Sequence, residues 1–83
     1  MNKTLIYIMA NDTKWMEMEK EIPFVPYPGL DFTGLAGEQP LRISGISYDV
    51  PGQFFKLRLA WLSQEPMASE AMLKLGAGWK VRG

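Results

Sequence analysis

Glu17, Glu19 and Glu21 recur at every second position of WMEMEKEI, residues 15–22. On a β-strand that spacing puts three carboxylates on one face, about 6.5–7 Å apart. The chemistry open to such a row is a hard-cation site or an acid/base pair. Hard cations usually draw their oxygen ligands from several segments or from one tight loop, and a single strand offers neither. The row therefore reads as a solvated strand face. Lys56 and Arg58 form a second short row of opposite charge at the same spacing. If the two rows lie together, within a chain or between chains, cross-strand pairs fix register at a modest energy.

The remaining catalytic repertoire is thin. The chain has no histidine and no cysteine, which removes the usual proton shuttle, the thiolate nucleophile and the commonest transition-metal ligands. A Ser or Thr nucleophile would need Lys or a carboxylate as its base, and neither a nucleophile elbow nor a phosphate-binding loop motif is present. Gly29, Gly34 and Gly37 lack the spacing of a dinucleotide fingerprint and read as loop punctuation. A non-catalytic protein without cofactor or metal is expected.

Charge narrows the partners. Nine basic and nine acidic residues cancel, so no long-range field steers the chain onto nucleic acid or an anionic membrane. Trp79, Lys80 and Arg82 with Lys56 and Arg58 have the types of a base-stacking platform, but the neutral balance opposes that use. The apolar run Leu5–Ala10 behind Lys3 imitates a signal peptide. It is shorter than the roughly 7–15 residues an h-region needs, and far shorter than the ~20 that cross a bilayer. A first β-strand is the better reading. Absence of disulfides in so small a domain tilts the expected location to a reducing cytoplasm.

These residues need elements to hold them, and 83 residues provide for one domain. Thr4, Ile6 and Ile8 alternate with Leu5, Tyr7 and Met9, so the first strand is apolar on both faces and wants cover on both. Asn11-Asp12 supplies a turn signal. Residues 15–22 admit a helix capped by Asp12 or a strand; the strand is preferred because it completes a hairpin with the first. Leu41–Val50 and Gln53–Leu62 form a second hairpin about Pro51-Gly52, with Gly52 in the positive-φ position of a type II turn. Phe55, Leu57, Leu59 and Trp61 take one face of its second strand; Phe54, Lys56, Arg58, Ala60 and Leu62 take the other. Gly45 marks a bulge. Ser63 is read as the N-cap of a short helix with Gln64, Glu65 and Pro66 in its first turn, an apolar stripe of Ala68, Ala71, Met72 and Leu75, and a left-handed stop at Gly76. Residues 79–82 form a short last strand or a tail. The fold expected is α+β: an antiparallel sheet of about four strands, one short C-terminal helix packed on it, and a long Pro-rich loop.

That loop, residues 23–40, holds four prolines and three glycines. Pro23 and Pro26 have the spacing of a polyproline ligand. Yet Ile22, Phe24, Val25, Tyr27, Leu30 and Phe32 crowd around them, and leaving that surface in water costs about 25 cal/mol per Å². The prolines are better read as pre-ordering a lid whose aromatics plug the sheet. One short helix covers only part of one sheet face, so apolar surface is left over. The leading expectation is a protein-interaction module that self-associates as a homodimer through an apolar face or a strand edge. The alternative is a small-molecule binder with an aromatic pocket beneath the loop. The residues singled out for ligand or interface are Phe24, Tyr27, Phe32, Phe54 and Trp61.

Overall fold

A computed structural model of the chain describes residues 2–82. Strand β1, Asn2–Met9, turns back on β2, Trp15–Ile22, in an antiparallel hairpin. The loop that follows contains the short β3, Asp31–Phe32, which pairs with the start of β4, Leu41–Asp49. β4 forms a second hairpin with β5, Phe54–Trp61. Helix α1, Ser69–Lys74, and the two-residue β6, Lys80–Val81, complete the order. The two hairpins join through a parallel pairing of β1 with β5, giving a six-stranded sheet in the order β3-β4-β5-β1-β2-β6.

The parallel pair corrects the expected architecture: the fold is a six-stranded mixed sheet with one parallel pair and one short helix, mostly sheet, and not an antiparallel four-stranded α+β fold. The reason is that β1 is a central strand. Two hairpins placed side by side must join through a strand of each, and the run after β2 crosses the sheet so that β4 and β5 arrive with β5 running alongside β1. A crossover of this kind is usually a helix. Here it is the proline loop, which buries Leu35 and Ala36 against the sheet.

All of that cover lies on one face. Thr4, Ile6 and Ile8 of β1, Met16 and Met18 of β2, Leu41 and Ile43 of β4 and Leu57 and Leu59 of β5 are almost wholly buried. They point to Met72 of α1, to Leu35 and Ala36, and to Trp79. The alternation expected for β1 and β5 is present, residues 15–22 are a strand, and the Gly45 bulge appears as a register shift between Ile43 and Gly45.

Three local expectations fail for physical reasons. The helix begins at Ser69 rather than after Ser63, because Ser63 Oγ accepts the Glu65 amide (3.0 Å) in a local turn. Met72 alone of the stripe is fully buried, while Leu75 is exposed; Gly76 does stop the helix at φ +70°. At the second hairpin the left-handed residue is Gln53, φ +57°, not Gly52. The Gln53 amide donates to the Asp49 carbonyl (2.7 Å) and the Gly52 amide to Asp49 Oδ2 (2.8 Å). Gly52 is required for space, since a Cβ there would meet Asp49 Oδ2 at 2.7 Å and run into the Phe54 ring.

Candidate functional site

Among the described residues, no layer covers the second face of the sheet. Its residues form columns by strand and rows by register. β2 contributes Trp15, Glu17, Glu19 and Glu21; β1 contributes Lys3, Leu5, Tyr7 and Met9; β5 contributes Phe54, Lys56, Arg58 and Ala60. The pairings Leu5–Glu19 and Leu5–Lys56 put Glu19, Leu5 and Lys56 in one row. Tyr7–Glu17 and Tyr7–Arg58 put Glu17, Tyr7 and Arg58 in the next. The acidic and basic rows read from the sequence thus become parallel columns with an apolar column between them.

Neighbouring strands are about 4.8 Å apart, so Glu19 and Lys56 stand about 10 Å from each other at the backbone. The two columns do not pair within the chain. Among the described residues the ion pairs are Arg42–Asp31, Lys74–Glu70 and Arg82–Glu17, the last at 3.9 Å. Lys56 instead lies over the Phe54 ring, 5.7 Å from its centroid, and Arg58 Nε donates to Ser44 Oγ at 3.3 Å. Tyr7 and Trp15 stack edge to face at 5.6 Å, with the Arg82 guanidinium 5.9 Å from the Tyr7 centroid. Leu5, Tyr7, Trp15 and Phe54 are half-buried by these neighbours, and Met9 is exposed.

The sheet edges offer less. Each is capped over part of its length by a two-residue strand, β3 or β6. The uncapped part of β2 carries Glu19, Lys20 and Glu21 in succession, and that of β4 carries the bulge; charge and bulges both deter strand addition. At the β3 edge Arg42 Nε and Nη2 hold Asp31 Oδ1 and Oδ2 at 2.7 and 3.0 Å. Hydrogen bonding from Arg42 holds the Asp31 carboxyl below its ordinary value, and the same contact raises Arg42.

A cleft of about 160 Å³ opens on the covered side, between the end of β2 and the loop. Its apolar lining comes from Ile6, Ile22, Phe24, Phe32, Leu35 and Leu57, and its polar residues are Lys20, Glu21 and Thr33, of which Glu21 has its side chain on the opposite side of β2. Lys20 shares its side of β2 with Met16, Met18 and Ile22, so it projects toward the core layer rather than the open face. Among the described residues it enters no ion pair.

The five residues singled out from the sequence are divided among these places. Phe24 and Phe32 line the cleft. Tyr27 stands exposed on the loop outside it. Phe54 lies on the open face beside Lys56. Trp61 is on the covered face, its Nε1 donating to the Met9 carbonyl at 2.7 Å. The loop therefore plugs the sheet with Leu35 and Ala36 more than with its aromatics. Tyr7, Trp15 and Lys20 were not singled out. The two-sided apolarity of β1 signals the first, and a lysine in phase with three buried apolar residues of β2 signals the last. No group of three or more carboxylates converges on a metal-binding geometry among the described residues. No helix of the described residues is long and apolar enough to cross a membrane. No protein-family model, curated protein or solved structure matches the chain.

Proposed function

We propose that this protein is a small non-catalytic interaction module that self-associates through the open face of its sheet. One observation carries the reading: helix, loop and Trp79 all cover one face, while Leu5, Tyr7, Met9, Trp15 and Phe54 share the other. A column of partly exposed apolar side chains flanked by charge is compatible with an association surface. The face is favoured over a strand edge because both edges are partly capped and otherwise charged or bulged. A cysteine-free composition supports a reducing cytoplasm as the location.

Light scattering on a sizing column across a concentration series tests the reading. A mass approaching twice the 9.4 kDa of the chain, returning to one chain mass in Trp15→Glu, is expected. A wild-type protein that stays monomeric at tens of micromolar overturns it.

The cleft favours a second reading, a small-molecule binder. Its volume suits a ligand of roughly benzene size, and Lys20 at an apolar opening complements a small aromatic carboxylate. Thermal shift against such acids at millimolar concentration is expected to raise Tm, and less so in Lys20→Met. No shift across a panel of aromatic carboxylates removes this reading.

A further inference from the structure

The columns of charge on the open face determine how two copies meet, an inference that rests on the self-association proposed above. We propose that the copies stack face to face about a two-fold axis that runs parallel to β1 and directly over it. The acidic column of β2 in each copy then covers the basic column of β5 in the other.

In aligned packing, the class open to two sheets with no strand passing between them, stacked sheets keep their strand directions within about 30° of one another. A two-fold relating two facing sheets lies in the plane between them, and the strands cross at twice the angle between strand and axis. The axis is therefore nearly parallel or nearly perpendicular to β1. A perpendicular axis lays each strand on its own copy, β2 on β2 and β5 on β5. Glu17, Glu19 and Glu21 then face three carboxylates, and Lys56 and Arg58 face two cations. Like charges brought together in an interface are strongly penalised.

A parallel axis lays β2 on β5 and keeps heights along the strands unchanged. The rows then complete themselves across the interface. Glu19 and Lys56 lie at the height of Leu5, so Glu19 faces the partner's Lys56. Glu17 and Arg58 lie at the height of Tyr7, so Glu17 faces the partner's Arg58. Leu5 and Tyr7 meet their own counterparts at the axis. Continuing the same register, the large Trp15 stands over the partner's Ala60, the smallest side chain of that column. Sheets separated by about 10 Å leave room for these side chains to interdigitate and for Glu to reach Lys or Arg. Arg42 falls beneath the partner's Arg82, but each is already engaged within its own chain, Arg42 by Asp31 and Arg82 by Glu17. Lys3, on the axis at the end of β1, is long enough to turn its ammonium outward.

The area sets the strength. With the axis over β1, the three strands β5, β1 and β2, of about eight residues each, overlap fully and span roughly 14 by 26 Å, or about 380 Å² of projected face per copy. About 800 Å² across the pair, before side-chain relief and the short β4–β6 overlap are counted, falls in the range of weak, transient interfaces. The dimer is therefore a weak, concentration-dependent one.

Two charge-reversal variants test the axis. Glu17→Lys with Glu19→Lys makes both columns basic, and Lys56→Glu with Arg58→Glu makes both acidic. Light scattering is expected to show each variant alone dimerising at least about tenfold more weakly than wild type, and their equimolar mixture recovering the dimer mass. Recovery on mixing also shows that both variants are folded. Wild-type dimer with reversal variants that dimerise as well as wild type overturns the axis while leaving self-association standing. Reversal variants that weaken the dimer but fail to recover it on mixing, with circular dichroism unchanged from wild type, also overturn the axis. A wild-type monomer at all concentrations overturns both readings.

Discussion

Asp12 caps Ser69 from 57 residues away: its carboxylate accepts the Ser69 hydroxyl at 2.6 Å and the Ser69 backbone amide at 3.3 Å. The β1–β2 turn thereby supplies the N-terminal cap that α1 lacks in its own sequence, where Ala68 occupies the cap position. Beside it, Asn11 donates its side-chain amide to the Pro66 carbonyl at 2.8 Å, and its backbone amide to the Met67 carbonyl at 2.9 Å. Turn and helix are thus docked as one unit. The Ser69 hydroxyl, more than any other contact, holds the Asp12 carboxyl below its ordinary value. A group whose folded pKa is depressed adds stability above its unfolded pKa, about 3.9, and loses it as pH falls through the folded value. Asp12→Ala is expected to lower Tm near pH 7, and the gap to wild type is expected to shrink from about pH 4 downward. Thermal melts between about pH 2.5 and 7 read this directly. A gap that does not change with pH would mean that the charge of Asp12 has no part in the cap.

The β4–β5 turn separates two roles that one glycine often fills. Gln53 has the left-handed backbone and Gly52 has the crowded position. A left-handed L-residue costs about 1–2 kcal/mol, partly offset by the extra unfolded-state entropy of a glycine replacement. Gln53→Gly should therefore stabilise by about 0.5–1 kcal/mol in urea unfolding. Gly52→Ala forces the Phe54 ring and the Asp49 carboxylate aside and should cost about 1–3 kcal/mol. A stabilising Gly52→Ala would show that the crowding is relieved without cost.

What could be read in the chain was its local alternation. Ile6 and Ile8 against Leu5 and Tyr7, and Leu57 and Leu59 against Lys56 and Arg58, divide the two faces correctly, because a side chain's face depends only on its place in the strand. The β1–β5 pairing could not be read, since nothing in the composition of Thr4–Tyr7 or Phe55–Arg58 encodes its partner across 51 positions of sequence. For the same reason the Asp12 cap, across 57 positions, was out of reach; the left-handed Gln53 is local, but the Pro51-Gly52 signal points to glycine as the positive-φ residue and so hid it. The open face was half legible. Its columns were visible as Glu17, Glu19 and Glu21 and as Lys56 and Arg58, but their order, with β1 between them, follows from topology alone.

Trp79 anchors the crossover loop to the sheet. Its Nε1 donates to the Leu35 carbonyl at 2.7 Å in a buried hydrogen bond, and its ring joins the core beside Leu35 and Ala36. Trp79→Phe keeps most of the apolar area but leaves the Leu35 carbonyl without its donor. An unsatisfied buried polar group costs about 1–3 kcal/mol, and the loss should fall first on the loop. Limited proteolysis is expected to cut residues 23–40 faster in Trp79→Phe than in wild type. Unchanged cleavage would place the loop's stability in its other anchors, the β3–β4 pairing and the buried Leu35 and Ala36.

The two faces of β1 and β5 should answer to different variables. Leu57 is 1% exposed and packs in the centre of the covered layer. Leu57→Ala should cost about 2–5 kcal/mol at any protein concentration, because a cavity in one chain's core does not depend on a second chain. Leu5, one strand over and facing the other way, is half-buried in the single chain. Leu5→Ala should cost less than Leu57→Ala in dilute protein, because Leu5 keeps part of its surface in water in the single chain while Leu57 keeps none. At concentrations where the dimer forms its cost should grow, since any partner that binds only the folded state adds to apparent stability by mass action. Urea unfolding of both variants and wild type at about 1 and 100 μM separates the cases. A Leu5→Ala penalty that is the same at both concentrations would place Leu5 outside the association surface; one that rises while the Leu57→Ala penalty stays fixed would place it inside.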